Sequence, residues 1–260
     1  MSSEVHLSDQ QVDAALDLVV DVFKGFQGEL LSVFGNVEHT SKSDNTAVTV
    51  YDVKVEEALK TRLAEAFPTV GFEGEETGAT GNRETYWLVD PIDGTSSFIR
   101  GLPFSTNMAA LVSSGEVIAA VIYDFVNDNL YTAIKGKGAL KNGKPISVNT
   151  KRKPGNLVVY ALTRKNFGQL QEAMLEIGVR LLLPMGAAGH DYIMLAEGKI
   201  DGVIVLNTTN GLHDNAPGLL IVEEAGGVLL PYDDKVGVYR HEFIVGSPAV
   251  VDLIEHSGLI

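Results

Sequence analysis

No cysteine occurs among the 260 residues. That excludes a disulfide framework, a cysteine-held zinc or iron–sulfur centre and a thiol nucleophile. Positive charge is also short: 20 basic side chains face 34 acidic ones, a net charge of −14. A nucleic-acid groove or an anionic membrane surface needs the opposite sign, so neither is an expected partner. No apolar run approaches the roughly 18 residues of a membrane span, and the start, MSSEVHLSDQQ, lacks the basic and apolar regions of a signal peptide. A cytoplasmic protein is the expectation. There is no internal repeat and no low-complexity segment. None of the six histidines sits in an HExxH or other zinc spacing. What remains is an ordinary globular composition, 45% apolar and 21% charged, with length for one large domain or two small ones.

Ser8-x-x-Gln11 reads as a capping box. Behind it Val12, Ala15, Leu16, Val19, Phe23, Phe26 and Leu30 recur at helical spacing, with Gly35 as a stop. Gly25 and Gly28 weaken the middle and allow two shorter helices instead. Thr49-x-x-Asp52 starts a second helix whose face is Val55, Leu59, Leu63 and Ala66, ending before Pro68. Tyr86 to Asp90 is a short strand that ends in an acid. From Phe104 to Val148 apolar runs alternate with turn signals, Asn142-Gly143 the strongest, which predicts a meander. Lys151-Arg152-Lys153-Pro154-Gly155 is the boundary candidate, dividing the chain into 1–150 and 151–260. Beyond it strands (Leu157–Ala161, Arg180–Leu183, Gly202–Val205, Val228–Leu230, Phe243–Val245) alternate with helices (Phe167–Ile177, Gly186–Glu197, Asn215–Ala225 and one after Pro248). That order predicts layers of helix and sheet.

The chemistry concentrates in Gly74-Glu75-Glu76 and Asp90-Pro91-Ile92-Asp93-Gly94-Thr95. A strand delivers Asp90 to its end, Pro91 cannot continue a ladder, and Asp93 follows in the same tight turn. Two carboxylates and the Ile92 carbonyl can then converge, Gly94 permits close approach, and Thr95-Ser96-Ser97-Phe98 resembles a first helical turn whose N–H groups favour an anion. Hard oxygen donors beside such a turn suit Mg²⁺, Mn²⁺ or Ca²⁺ and a phosphate. Taken singly, Asp-Pro and Asp-Gly are common turn formers, and Glu75-Glu76 could be a solvated face.

GEE, DPIDGT, an Asp before a helix ending EEAGG, together with Gly101–Phe104, Gly186–Ala188 and Ala196–Gly202, resemble the inositol monophosphatase family of Mg²⁺-dependent, lithium-sensitive phosphatases. The resemblance implies an α+β, α/β layered sandwich (αβαβα), a homodimer and a small phosphorylated metabolite as partner. It implies Mg²⁺ as cofactor, with Mn²⁺ as a substitute and Li⁺ as an inhibitor. By the same resemblance Glu75, Asp90, the Ile92 carbonyl, Asp93 and Asp214 are metal ligands, with Asp90 bridging two ions. Glu75, Thr95 and Asp52 form the implied catalytic set. Thr95 with Glu75 orients the attacking water, and Asp52 helps hold a weaker third ion. Gly94, Thr95, Asp93 and Asp214 are the implied substrate contacts, the Gly94 and Thr95 amides gripping phosphate oxygens.

Bland alternatives stand beside these roles. Asp52 is also a helix-start carboxylate, Asp214 an N-cap just before a helix beginning at Asn215, Lys42 and Asp44 loop charges, Asp201 a turn residue and His213 a packed or exposed histidine. Asp93→Asn is expected to abolish turnover with little effect on folding.

Two departures from the family pattern bear on the substrate. His213-Asp214 stands where Trp-Asp is usual, and no Glu follows Asp201 in Gly-Val-Ile-Val-Leu-Asn-Thr-Thr-Asn, where inositol-specific members have one. Lys42-x-Asp44-x-Thr46 looks like members that act on histidinol phosphate or 3′-phosphoadenosine 5′-phosphate. A fructose 1,6-bisphosphatase reading would recruit Lys135, Lys137, Arg164 or Lys165 for a second phosphate. A non-catalytic regulatory or binding protein on the same fold is the alternative of another class.

Overall fold

In a computed structural model, the structure describes residues 7–41, 46–163, 166–184, 186–206, 211–231 and 242–258. In chain order the elements are α1 (Asp9–Val33), β1 (His39–Ser41), β2 (Ala47–Thr49), α2 (Val50–Ala66), β3 (Gly71–Gly74), β4 (Gly78–Thr80), β5 (Thr85–Asp93) and α3 (Thr95–Arg100). Next come β6 (Thr106–Ser113), β7 (Glu116–Asp124), β8 (Asn129–Ile134), β9 (Ala139–Lys141), β10 (Lys144–Pro145), β11 (Leu157–Thr163), α4 (Phe167–Glu176) and β12 (Val179–Leu182). The chain closes with α5 (Ala188–Ala196), β13 (Gly202–Leu206), α6 (Leu212–Glu224), β14 (Val228–Pro231), β15 (Phe243–Gly246) and α7 (Pro248–Ser257).

Both capping boxes form: Gln11 N–H donates to Ser8, and Asp52 accepts from the Thr49 amide at 2.8 Å and hydroxyl at 2.6 Å. The Gly25–Gly28 break does not occur; α1 is one helix of 25 residues. A Cβ at either glycine would touch nothing, so both face outward. The buried row from Val12 to Leu30 holds the helix together, each large side chain contributing about 2 kcal/mol. On α2 the buried face is Asp52, Val55, Glu56, Leu59 and Leu63, while Ala66, expected on that face, is exposed.

Eight strands form one sheet in the order β10-β9-β8-β7-β6-β5-β3-β4, antiparallel except where β3 runs parallel to β5. The predicted meander is β6 to β10, except that its last apolar run, Ile146–Val148, forms no strand; its Asn142-Gly143 tip takes positive φ at both residues, the turn that matches strand twist. Five strands form a second, mixed sheet in the order β12-β11-β13-β15-β14. Three apolar clusters bind the layers. One packs α1 and α2 on one face of the large sheet. A second packs α5 and α6 between the large sheet and the small one. A third packs α4 and α7 on the far face of the small sheet. Helix, sheet, helix, sheet, helix: the fold is the layered αβαβα sandwich. No helix among the described residues is long and apolar enough to cross a membrane.

Asp201, read as a turn residue, does stand in the bend before β13, and it is also a fully buried anchor. Its carboxylate accepts from Arg152 at 2.9 Å, Asn149 at 3.0 Å and the Val158 amide at 2.9 Å, tying the segment before β11 to the start of β13.

Candidate metal centre

β5 lies inside the large sheet with all nine residues buried, so Asp90 reaches its end in an apolar setting. The ladder with β6 slips between Asp90 and Asp93, and Asn107 donates to the Pro91 carbonyl at 2.6 Å to hold this bulge. The bulge brings Ile92 and Asp93 to the same pocket as Asp90. β3 pairs parallel with β5 in a register that sets Gly74 beside Val89. Glu75 therefore leaves its strand next to Asp90, with its N–H on the Val89 carbonyl at 3.1 Å.

Sequence reading overlooked the residue that fixes this corner. Glu56, fully buried on α2, accepts from the Glu76 amide at 2.9 Å and the Thr77 amide at 2.6 Å. Its signal was available: Asp52 and Glu56 share one helical face with Val55 and Leu59, where solvated acids have no reason to stand.

α6 starts at Leu212, three residues earlier than predicted, with Gly211 as N-cap. Asp214 thus lies within the first turn, where its carboxylate accepts from the Gly211 N–H. One donor atom from each of Asp90, Asp93 and Asp214 lies within 4.8 Å of the others, and the same holds for Glu75, Asp90 and His213. His213 Nε2 stands 4.0 Å from Glu75 Oε1 and 3.7 Å from Asp214 Oδ2. The two groups share Asp90.

These acids oppose one another. Burial first, then Glu75, Asp93 and Asp214, push the Asp90 carboxyl well above its ordinary range. Asp93 is likewise raised, by burial and then Asp214, although three donors favour its ionised form. Those donors are the Ala188 amide at 3.1 Å, the Gly189 amide at 2.7 Å and the Thr106 hydroxyl at 3.1 Å. Asp93 therefore also caps the start of α5, which adds a structural role that the expected little effect of Asp93→Asn on folding left out. Asp90 Oδ1 is buried without a hydrogen-bond partner. A buried carboxylate oxygen left unpaired among three further acids is costly, and a divalent cation is the group that removes the cost. The donor set fits one.

Gly94 begins α3 at φ +75°, and a Cβ there would come within 2.6 Å of the Phe104 carbonyl, so both conformation and space require glycine. Its carbonyl accepts from the Ser97 and Phe98 amides, which leaves the earlier Thr95 and Ser96 amides with no acceptor within the helix. The Thr95 hydroxyl donates to the Ile92 carbonyl at 2.9 Å and stands 3.3 Å from Asp52 Oδ1. Asp52 is neither merely a cap nor solvent-facing: it joins Thr49 to Thr95, and burial raises its carboxyl to about 6.

Glu75, Asp90, Ile92, Asp93, Gly94, Thr95 and Asp214 line one pocket of about 720 Å³, with Arg100 at its edge. Lys135 and Lys137 do not line it. They pair with Glu116 and with Asp9 and Asp13, which removes them as binders of a second phosphate. Lys42, Asp44, Arg164, Lys165 and 207–210 lie outside the described residues.

The inositol monophosphatase family profile matches residues 8–257. An inositol-1-monophosphatase of Rhizobium meliloti is 34% identical over 230 residues, 82% of this chain and 84% of that one. A fructose-1,6-bisphosphatase/inositol-1-monophosphatase of Aquifex aeolicus is 32% identical over 233 residues, 85% of this chain and 86% of that one. Among solved structures, an IMPase of Thermotoga maritima superposes with a TM-score of 0.80 at 25% identity, covering 94% of this chain and 99% of that chain. The chain belongs to the inositol monophosphatase family of metal-dependent phosphatases, enzymes that hydrolyse phosphate monoesters.

Proposed function

We propose that this chain hydrolyses a small phosphate monoester at the 720 Å³ pocket, with Mg²⁺ as resident cation, Mn²⁺ as substitute and Li⁺ as inhibitor. The observation that carries the reading is Asp90, buried, with one oxygen unpaired, shared by two groups of convergent donors. Glu75, Asp90, the Ile92 carbonyl, Asp93 and Asp214 would hold the cations. Bound there, divalent cations lower the pKa of water and neutralise charge on the phosphoryl group.

The remaining work falls to the chain itself. The Thr95 hydroxyl, held by Ile92 and Asp52, and the Glu75 carboxylate orient the attacking water. Asp52 fixes the Thr95 rotamer and supports a weaker third ion. The Gly94 and Thr95 amides grip phosphate oxygens, as the start of a short helix favours. Asp93 and Asp214 border the leaving group. The water oxygen would bond to phosphorus as the ester P–O bond breaks, and a proton given up by the water would end on the departing ester oxygen.

Phosphate release from a panel of sugar, amino-alcohol and nucleotide monoesters tests this. Release that requires Mg²⁺ and falls with Li⁺ supports the reading; no release from any ester with Mg²⁺ or Mn²⁺ removes it. Binding of a protein or small ligand equally well with and without metal, and no turnover, would favour the non-catalytic alternative. A sugar bisphosphate is a second reading, favoured by Arg100 at the pocket edge and by the name of the Aquifex relative. From the sequence we carry over a cytoplasmic location and the division at residue 150, and from the family resemblance a homodimer, which light scattering tests. The large sheet draws on residues 71–145 and the small one on 157–246, which supports that division.

A further inference from the structure

We infer that His213 is itself a metal ligand. One of the two cation positions is then a mixed nitrogen–oxygen site of Glu75, Asp90 and His213 that prefers Mn²⁺ to Mg²⁺. The other, at Asp90, Asp93 and Asp214, stays all-oxygen. The inference rests on the metal-dependent reading above and names the ion that one half of that site selects.

Three observations carry it. First, a donor atom of His213 lies within 4.8 Å of donors from Glu75 and Asp90. Its Nε2 is 4.0 Å from Glu75 Oε1. Two donors about 2.1 Å from one ion can stand up to about 4.2 Å apart, so that separation can be spanned by one cation without moving the backbone. Second, Asp90 is common to both groups, and its Oδ1 is buried and has no hydrogen-bond partner. Third, the ring is held in place. A Cβ at Gly211 would come within 2.8 Å of His213 Nε2 and 2.9 Å of Nδ1, so the imidazole packs directly against the glycine N-cap of α6. The helix start is itself fixed: the Gly211 N–H donates to the Asp214 carboxylate, and the buried Asn215 accepts from the Tyr192 hydroxyl at 2.8 Å. A solvated histidine needs none of this.

The chemistry then differs from that of the Trp-Asp pattern. An indole N–H offers no lone pair to a cation, whereas a neutral imidazole does. Mg²⁺ prefers carboxylate, carbonyl and water oxygens, and imidazole suits first-row transition ions. Exchanging the aromatic for a histidine therefore adds a donor that rewards Mn²⁺ and leaves Mg²⁺ nearly indifferent.

The test uses the full chain loaded with Mn²⁺ and electron spin echo envelope modulation, which reads nitrogen bound directly to manganese. The expected result is a ¹⁴N imidazole signal in the wild type. It is lost in His213→Phe and His213→Gln and kept in His39→Phe, which removes a histidine that lines the pocket. Calorimetry on the same proteins is expected to show Mn²⁺ affinity falling at least about ten-fold in the His213 variants while Mg²⁺ affinity stays within about two-fold. Mn²⁺ bound tightly by the wild type without a ¹⁴N signal overturns this inference and leaves the phosphatase reading standing. So does a signal that survives both His213 substitutions. Mn²⁺ that does not bind at all overturns both.

Discussion

Asp93→Asn separates the electrostatic cost of crowding these acids from its purpose. In the metal-free chain, burial and then Asp214 carry Asp93 from 3.8 up to about 7. The folded chain therefore keeps a proton that the unfolded chain releases, and this contribution to stability is present below the unfolded value and lost as pH rises through 7. Ionising a carboxyl moved that far costs ~4 kcal/mol, less what Asp90 and Asp214 absorb by sharing protons. Asparagine cannot ionise. Its oxygen keeps Gly189 and Thr106, while its NH₂ meets the Ala188 amide donor to donor. Losing that bond costs roughly 1–2 kcal/mol. In EDTA the variant should be about 1 kcal/mol less stable than wild type near pH 4 and about 2 kcal/mol more stable near pH 8. Excess Mg²⁺ should raise the wild type more than the variant at pH 8, reversing the order. Urea unfolding midpoints at both pH values, with and without Mg²⁺, measure it. A variant less stable than wild type near pH 8 in EDTA would refute the reasoning.

Glu56→Gln can satisfy only one of the Glu76 and Thr77 amides. Stability should drop by roughly 1–2 kcal/mol, and kcat/KM by roughly ten-fold as Glu75 loosens; urea melts and initial rates check both. Gly94→Ala should cost at least roughly 2 kcal/mol, from a positive φ and a clash with the Phe104 carbonyl, and should raise KM for the ester; equal KM would argue against phosphate binding at this turn. Asp201→Asn should lose roughly 2 kcal/mol in urea melts yet keep kcat, because its partners lie before and at the start of β11 and not in the pocket.

Local signals carried most of the fold. Capping boxes at Ser8 and Thr49, the Asn142-Gly143 turn and the alternation after Gly155 are written in residues close in sequence, and each element formed within a few positions of its expected bounds. What failed was decided by packing. Gly25 and Gly28 break no helix because the buried row beneath them outweighs propensity. Asp201 stands in a turn as expected, but its second role as an anchor was hidden because Arg152, forty-nine residues earlier, folds back onto it. The DPIDGT turn announced its own chemistry, since its donors are neighbours along the chain. The approach of α6 to β5 depends on a sandwich whose layers no local pattern aligns, so the geometry around His213 was invisible until Asp90, Glu75 and the first turn of α6 stood together.

The central claim is that acids from β3, β5 and α6 gather cations around Asp90. Anomalous scattering from a crystal soaked in Mn²⁺ tests it most directly. The account predicts two peaks that share Asp90, one toward Asp93 and Asp214 and one toward Glu75. A map with no peak within bonding reach of Asp90 would contradict it.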